Sequence, residues 1–280
     1  MSVWFITGAS RGFGAQVAKL ALAKGDAVVA TARDPGSVIA ALGAHANLLA
    51  VGLDVTDEAQ AHAAAGEAVR RFGRIDILLN NAGFGLLGAV EEATAQEVEA
   101  LYRTNVFGLL NVVRAILPHM RRARSGHILN ISSIGGYRSA AGFGVYCSTK
   151  FAVEGLTEAL ADELAPLGIK ATIIEPGYFR TDFLDARSLS ISAARIDDYA
   201  GTAGAVRAHA AGLNHRQPGD PAKLAAAIVA LGGNSNAPLR MPYGSDTVAA
   251  IEAKNAFVAE ELASWRSVAV STDFTAANAA

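Results

Sequence analysis

Short runs of apolar residues alternate with longer helix-like segments along most of the chain. Seven such runs are candidate strands, at residues 3–8, 27–32, 48–55, 75–82, 127–133, 170–176 and 238–244. Most of the runs are continuous rather than alternating with polar residues, which is typical of strands buried on both faces of a parallel sheet. Regular alternation of strand and helix predicts an α/β fold: a doubly wound parallel sheet of about seven strands with helices on both faces.

The segments between the candidate strands carry helical patterns. They predict helices over residues 14–24, 56–72, 95–120, 151–164 and 221–231. Residues 178–220 interrupt the alternation of strands and helices, because they carry apolar side chains but no strand pattern. A segment of this kind is typical of a lid or a substrate loop.

The C-terminal segment follows the last candidate strand. Within residues 246–280, apolar side chains recur at near-helical spacing, at Val248, Ile251, Val258, Leu262 and Trp265. This spacing predicts an amphipathic helix with a loose, alanine-rich end. We therefore expect a single domain over residues 1–245, which includes the loop at 178–220, and a helical extension and tail over residues 246–280.

Composition and charge exclude several functional classes. The chain of 280 residues is 51% hydrophobic and has a net charge of −2, so it lacks the basic footprint of a nucleic-acid-binding protein. Its single cysteine leaves no internal disulfide, and no Cys and His spacing predicts a metal site. No apolar run is as long as a membrane span, and the first residues lack a signal-peptide pattern, so we expect a cytoplasmic protein.

The first candidate strand ends in a glycine-rich turn, TGASRGFG (7–14), and a predicted helix follows at once. Glycine lets the backbone approach a ligand closely, and a helix N-terminus offers unpaired N–H groups to an anion such as a pyrophosphate. The spacing is G-x-x-x-G-x-G, whereas the general dinucleotide fingerprint is G-x-G-x-x-G. The turn still predicts a dinucleotide site, because a strand precedes it and a helix follows it.

The end of the second candidate strand selects between the two nicotinamide cofactors. An acidic residue there would bind the ribose 2′-hydroxyl of NAD, whereas an arginine accommodates the 2′-phosphate of NADP. The chain has Ala32 and Arg33 at this point, Arg11 in the glycine turn is a second cation, and Asp34 lies one position further on. We therefore expect NADP(H) to be favoured over NAD(H).

A tyrosine and a lysine lie four residues apart in YCSTK (146–150). At that spacing Tyr146 and Lys150 share one face of a helix, which also suits an aromatic ring packed under a surface lysine. The pKa of a tyrosine is normally about 10, and a nearby ammonium lowers it by stabilising the phenolate. The pair is thus either ordinary helix packing or a general acid/base with the cation that tunes it.

The motifs taken together resemble the short-chain dehydrogenase/reductase family in its short, single-domain, Rossmann-type form. TGASRGFG is similar to that family's T-G-x-x-x-G-x-G, and YCSTK resembles its Y-x-x-x-K. Four further motifs follow the family's order: NNAG (80–83), NVFG (105–108), ISS (131–133) and PGYFRT (176–181). The resemblance covers residues 3–245.

The resemblance implies roles for individual residues. Tyr146 would donate a proton to the substrate oxygen during reduction or accept one during oxidation, and Ser133, with Ser132 as the alternative, would polarise the carbonyl. Lys150 would bind the nicotinamide ribose and lower the pKa of Tyr146, while Asn105 would hold a water linked to Lys150. The implied cofactor contacts are Gly8, Ser10, Arg11, Gly12, Phe13, Gly14, Arg33, Asp54, Val55, Asn81, Ala82, Gly83, Tyr146, Lys150, Pro176, Gly177 and Thr181.

Several aromatic residues fall in loops after the candidate strands. Phe84, Phe143, Tyr178 and Phe183 are candidate lining residues of a hydrophobic substrate pocket, and ordinary packing would account for each one equally well. Cys147 is interpreted as a packed thiol, because no histidine lies in a recognisable partnering motif.

These observations predict an NADP(H)-dependent oxidoreductase that interconverts a ketone or aldehyde and the corresponding alcohol by hydride transfer. Reduction of a hydrophobic carbonyl compound is favoured, because NADP preference usually accompanies reduction in the family. The segment after the sixth strand resembles the hydroxysteroid and retinol dehydrogenase side of the family. The alternatives are a non-catalytic NADP-binding regulator on the same fold, and an epimerase or dehydratase, against which the glycine spacing and the chain length both argue.

The resemblance also implies a homodimer or homotetramer. The helices around Val106–Met120 and Phe151–Leu164 are the expected interface. The other expected partner is the small-molecule substrate.

Overall fold

The computed structural model describes residues 1–274 and contains a seven-stranded, fully parallel sheet. Its strands are β1 (Val3–Ile6), β2 (Ala27–Ala32), β3 (Leu48–Gly52), β4 (Ile77–Asn80), β6 (Gly126–Ile131), β7 (Ile169–Pro176) and β9 (Arg240–Tyr243). They lie in the order β3-β2-β1-β4-β6-β7-β9, so the chain winds outward from β1 to one edge and from β4 to the other. The predicted doubly wound α/β sheet of about seven strands is confirmed.

Helices cover both faces of this sheet. They are α1 (Gly12–Ala23), α2 (Pro35–Leu42), α3 (Glu58–Phe72), α4 (Ala95–Tyr102), α5 (Leu109–Ala123), α6 (Ile134–Tyr137), α7 (Gly144–Leu164), α8 (Ala205–Leu213), α9 (Pro221–Gly232) and α10 (Ser245–Val270). On one face, α3, α5 and α7 pack on strand residues such as Phe5 and Ile128. On the other face, α1 and α9 pack on the adjacent strand residues Trp4 and Leu129. Successive strand residues point to opposite faces, so a strand packed on both must be continuously apolar.

The sheet collects the functional motifs at one edge. In a parallel sheet all carboxyl ends lie together, and open α/β sheets bind ligands there, where the strand order reverses. The reversal in this chain falls between β1 and β4. The glycine turn follows β1 and the NNAG motif ends β4, so the topology brings these two segments together.

Residues 178–220 are not free of strand structure, and the sequence prediction was wrong on this point. Strand β8 (Leu189–Ile191) pairs in parallel with β5 (Gly85–Leu87), which forms a separate two-stranded sheet. Leu189 is buried in an apolar cluster with Tyr146 and Phe143. This strand was unrecognised because its pairing partner lies about a hundred residues away and contributes three residues only.

Two predicted helices also differ from the observed ones. The predicted helix over 95–120 is interrupted by a π-helical turn at Arg103–Gly108, between α4 and α5. The helix expected at residue 151 begins at Gly144. Tyr146 and Lys150 therefore lie inside the first two turns of α7. Helices α2, α6 and α8 were not predicted.

The C-terminal helix α10 lies where the sequence predicts a helix, and it is mostly exposed. Among its residues only Thr247 and Ala250 are buried, and every residue from 255 to 274 is exposed. Trp265 is 67% exposed and Leu262 54%. The apolar stripe thus has no partner within the described part of the chain. The alanine-rich end at 275–280 lies outside the described residues.

Across residues 1–274, none of the helices combines the length and the apolar character needed to cross a bilayer.

Candidate active site

A large cavity opens at the carboxyl edge of the sheet and has a volume of about 1020 Å³. Every predicted site residue except Gly14 and Asn105 lines it. The end of β2 and the turns after β1, β3 and β4 line one wall, which we call the cofactor wall (residues 8, 10–13, 32–33, 54–56 and 81–83). Residues 178–190 line the opposite wall, which we call the lid wall.

The glycine turn is held tightly against the end of β4. Gly8 has a positive φ of 64°, which favours glycine. A Cβ atom on Gly14 would lie 2.5 Å from the carbonyl oxygen of Gly8 and 2.7 Å from the Asn81 amide nitrogen. Gly14 is therefore a packing requirement below the cavity rather than a lining residue, which explains its absence from the wall.

Thr7 and Asn81 join the two strand ends. The Thr7 hydroxyl accepts hydrogen bonds from the backbone N–H groups of Asn81 (2.9 Å) and Ala82 (3.0 Å). The Asn81 amide donates in return to the carbonyl oxygens of Thr7 and Gly8. Sequence reasoning assigned no role to Thr7; a hydroxyl that ends an apolar strand next to the glycine turn was the available signal.

The end of β2 presents a cation to the cavity. Arg33 is exposed and lines the wall beside Ala32. Asp34 instead caps α2, and its carboxylate accepts a hydrogen bond from the Gly36 N–H at 2.9 Å. The one acidic side chain that would favour a ribose 2′-hydroxyl at this point is thus engaged with the α2 N-terminus.

Arg11 reaches across the mouth of the cavity. Its guanidinium donates a hydrogen bond of 2.6 Å to the carbonyl oxygen of Arg187 in the lid wall. Asp54, on the cofactor wall, accepts hydrogen bonds from the N–H and the hydroxyl of Thr56. The cofactor wall therefore combines two arginines with backbone-rich turns.

Tyr146 lies at the inner end of the cavity between two phenylalanines. Its ring centroid is 6.1 Å from that of Phe143 and 5.6 Å from that of Phe183. Burial raises the pKa of the Tyr146 phenol well above its usual value, and a hydrogen bond with the Ser133 hydroxyl opposes the increase. The expected lowering of this pKa is not observed, because desolvation of the phenol dominates.

Lys150 lies below Tyr146 on α7. Its ammonium is 5.8 Å from the centroid of the tyrosine ring and donates a hydrogen bond of 2.9 Å to the carbonyl oxygen of Ile131. Burial lowers the pKa of Lys150 to about 8, and the charge of Glu154 opposes this shift. Both side chains are buried, so Tyr146 and Lys150 are not a packing pair on the helix surface.

Ser133 and Asn105 position the surrounding backbone. The Ser133 hydroxyl accepts a hydrogen bond from the Gly135 N–H at 3.0 Å and so begins α6. The Asn105 amide, buried in the π-helical turn, donates to the carbonyl oxygen of Phe84 and the hydroxyl of Thr149. A π-helical turn often marks a functional site. Here it directs Asn105 between the loop after β4 and helix α7, which keeps it behind the cavity surface.

The cavity surface around Tyr146 is apolar. Phe84, Phe143, Tyr178 and Phe183 line the cavity, together with Leu184 and Leu189 of the segment predicted to be a lid or substrate loop. Cys147 is a buried free thiol beside them, and burial raises its pKa. A raised pKa suits a packed thiol, because a nucleophilic cysteine needs the thiolate.

A buried ion pair anchors the segment that follows the lid wall, from Ile196 to α8, to the rest of the molecule. Glu92 has no exposed side-chain surface, and both its oxygens contact the Arg207 guanidinium of α8, at 2.5 and 3.1 Å. It also accepts hydrogen bonds from the N–H groups of Ala89 and Ile196. These donors hold the pKa of Glu92 down at about 2. A lone acid in an ordinary loop gave no signal of this role.

Comparison with known proteins places the chain among oxidoreductases. The sequence profile of the short chain dehydrogenase family matches residues 2–190. A 3-ketodihydrosphingosine reductase from Bacteroides thetaiotaomicron is 40% identical over 240 residues, which cover 85% of this chain and 86% of that protein. The crystal structure of a short-chain dehydrogenase from Streptomyces avermitilis is 42% identical, with a TM-score of 0.89 over 98% of this chain and 99% of that one.

Two solved structures of lower identity carry cofactors. ElxO with NADP bound is 28% identical, with a TM-score of 0.71 over 86% of this chain and 97% of that one. A 3-ketoacyl-(acyl-carrier-protein) reductase from Brucella melitensis with NADH is also 28% identical, with a TM-score of 0.72 over 87% and 97%. A nicotinamide cofactor is thus common to both similar structures, whereas the choice of NAD or NADP differs between them.

Proposed function

Since the chain belongs to the short-chain dehydrogenase family, we propose that it is an NADP(H)-dependent reductase of hydrophobic ketones or aldehydes, with Tyr146 as the proton donor. The observation that carries the proposal is the position of Tyr146. Its phenol lies beside the Ser133 hydroxyl, and two phenylalanine rings flank it at the apolar end of a cavity whose other end is a glycine turn.

The cofactor wall fits a dinucleotide. The turn around Gly8 and Gly14 has no room for side chains, so backbone N–H groups at the start of α1 face the cavity. Arg33 and Arg11 support binding of a 2′-phosphate, since no acidic side chain follows Ala32 directly. Gly83, Pro176, Gly177 and Thr181 would complete the nicotinamide end. When bound, the cofactor supplies the hydride.

The residues around Tyr146 provide the proton and the polarity. The phenol is protonated at neutral pH and would donate its proton to the carbonyl oxygen as negative charge develops there. The Ser133 hydroxyl would donate a second hydrogen bond to the same oxygen as negative charge develops on it. Once Tyr146 has given up its proton, the Lys150 ammonium would stabilise the phenolate. The reverse sequence would serve alcohol oxidation.

The lid wall supports a hydrophobic substrate. Aromatic and aliphatic side chains line much of the cavity near Tyr146, and the relative from Bacteroides thetaiotaomicron is a 3-ketodihydrosphingosine reductase. A long-chain, steroid-like or aromatic ketone would bury its apolar part there. The second candidate function is a non-catalytic regulator that binds NADP. The same large cavity would hold the cofactor in such a protein.

Turnover with a panel of ketones and aldehydes tests the proposal. We expect NADPH to be consumed faster than NADH, with alcohol and oxidised cofactor formed in a one-to-one ratio. Tight NADPH binding without turnover on any hydrophobic carbonyl would favour the regulator. Equal use of both cofactors would overturn the assigned preference while leaving the reaction class intact.

We also propose that the protein is a homo-oligomer that uses the faces of α5 and α7. Phe107 in the π-helical turn before α5 is 53% exposed, and Phe151 on α7 is 44% exposed. Apolar side chains on neighbouring helices are typical of a subunit interface. A monomeric mass by light scattering at micromolar concentration would contradict this assignment.

A further inference from the structure

Two glutamates are buried behind the catalytic residues, outside the lining of the cavity. Glu175 on β7 has no exposed side-chain surface, and the side chain of Glu154 on α7 is 6% exposed. Both meet the guanidinium of Arg240 on β9, at 3.2 Å for Glu154 and 3.4 Å for Glu175. The half-exposed Glu158 contacts the same guanidinium at 2.5 Å. One arginine therefore faces three carboxyl groups.

If both buried carboxyls are ionised, this cluster has too few hydrogen-bond donors for its carboxyl oxygens. No N–H or O–H group of the described residues donates with hydrogen-bond geometry to the four oxygens of Glu154 and Glu175. The two carboxyls contact the same Arg240 guanidinium, at 3.2 and 3.4 Å, which brings them close together. An ionised carboxyl only accepts, so a hydrogen bond between them requires that one holds a proton. Burying two unshared negative charges side by side would also be costly.

The charges around the pair support a single shared proton. Burial raises the pKa of both glutamates, and repulsion from Glu154 contributes to the increase at Glu175. The groups that face the pair are Ser132 after β6, Tyr137 on α6, Lys150 and Glu158 on α7, and Arg240 on β9. Two cations then meet one ionised buried carboxylate and the half-exposed Glu158, which leaves the cluster close to neutral.

The pair adjoins the segments that carry Lys150 and Ser133. Glu154 follows Lys150 by one helical turn, and Glu175 directly precedes the Pro176–Gly177 turn. The buried Ser132 hydroxyl lies beside Glu154, between Ile131, which accepts the Lys150 hydrogen bond, and Ser133. A Cβ on Gly136 would lie within 2.8 Å of the Glu154 carboxyl, so even the start of α6 is packed on it.

We propose that Glu154 and Glu175 share one proton and act as a positioning site for Lys150 and Ser133. The ionised member, Glu154, stabilises the Lys150 ammonium, and the protonated member, Glu175, holds Glu154 in place by donating a hydrogen bond. This inference rests on the proposed function for its kinetic consequence, whereas the shared proton itself does not depend on any activity.

The test compares Glu154→Gln, Glu175→Gln and the control Glu158→Gln. Carboxyl carbon NMR of the glutamate-labelled protein should show one buried carboxyl that titrates at least about one pH unit above an ordinary glutamate. We expect Glu175→Gln to remove this high titration and Glu158→Gln to retain it. Glu154→Gln should move it to lower pH, because the repulsion from Glu154 is lost while the burial of Glu175 remains. Ordinary titration of every glutamate in the folded native protein would overturn the shared proton, whether or not a substrate is known.

The pH dependence of NADPH-linked turnover separates a positioning role from mere packing. Glu154→Gln removes the negative charge that favours the ammonium, so the alkaline limb of kcat should move to lower pH by about one unit. Glu175→Gln keeps an N–H donor for Glu154, so its alkaline limb should stay within about 0.3 units of the native one. Equal shifts in both variants, or none in Glu154→Gln, would contradict the positioning role.

Discussion

The two walls of the cavity are built on different principles. Backbone turns at the ends of adjacent parallel strands form the cofactor wall, where Gly8, Thr7 and Asn81 hold each other through hydrogen bonds. Side chains from distant parts of the chain form the lid wall, which β5, Glu92 and Arg207 fasten to the molecule. The comparison shows that a wall made by strand ends can be predicted from local sequence, whereas a wall made by long-range side-chain contacts cannot.

Lys150 lies between the two walls, so its loss should have the largest effect. We expect Lys150→Met to lower kcat by about 100- to 10,000-fold, because the phenolate would lose its stabilising cation. Steady-state turnover with NADPH measures the loss, and Lys24→Met, at the exposed end of α1, is the matched control. Native turnover in Lys150→Met would contradict the proposed role of Lys150 in stabilising the phenolate.

Arg33 tests the cofactor wall alone. Arg33→Ala should weaken NADPH binding by about 10- to 100-fold, because a charge-assisted contact to the 2′-phosphate is lost. Binding of NADH should change by less than about twofold, since it lacks that phosphate. Fluorescence titration with both cofactors measures the ratio, with the exposed Arg121→Ala as control. An equal loss of affinity for NADPH and NADH would contradict the assignment of Arg33 to the 2′-phosphate.

Arg207 tests the lid wall alone. Arg207→Gln leaves Glu92 buried with an unpaired charge, so the lid should loosen and KM for the carbonyl substrate should rise by about three- to tenfold. NADPH binding should not change. Hydrogen exchange over residues 189–213 should increase in the same variant. Faster exchange together with weaker NADPH binding would show that the two walls are not independent.

The Glu92 ion pair also predicts an acid limit for the lid. The pKa of this carboxyl is lowered in the folded state to about 2, from a usual value of 4.5. A lowered folded-state pKa contributes stability that is present above the usual value and is lost as pH falls toward the folded value. Exchange over residues 189–213 should therefore accelerate between pH 4.5 and about 2 in the native protein, and less in Arg207→Gln.

Cys147 should give the smallest effect. Although it lines the cavity, its thiol is buried and its pKa is raised, so Cys147→Ala should change kcat/KM by less than about twofold. Alkylation by N-ethylmaleimide at neutral pH should be slow in the native protein. Loss of activity in the variant would assign the thiol a role in the lid wall that its surroundings do not indicate.

The fold and most of the cofactor wall could be predicted because their signals are local. Continuous apolar runs mark the strands, and the glycine turn marks the switch point between β1 and β4. The pKa of Tyr146 was predicted in the wrong direction, since burial between Phe143 and Phe183 depends on the lid. Strand β8 and the Glu92–Arg207 pair join residues about a hundred positions apart, which no local pattern reveals.

Glu175 shows what a close reading of the sequence could have added. It lies in KATIIEP, whose residues are buried at every position except Lys170, so an acidic residue near the end of this strand signals a paired or protonated carboxyl. Its partners Glu154 and Arg240 come from other elements and required the structure.

A single-turnover measurement of Tyr146→Phe tests the central claim most directly. The variant removes only the phenolic hydroxyl, and Phe packs between Phe143 and Phe183 as Tyr does. With NADPH bound and a ketone that the native protein reduces, we predict an unchanged Kd for NADPH and at least about a 100-fold slower oxidation of the cofactor. Oxidation at the native rate would contradict the account, because the proton would then come from a group other than Tyr146.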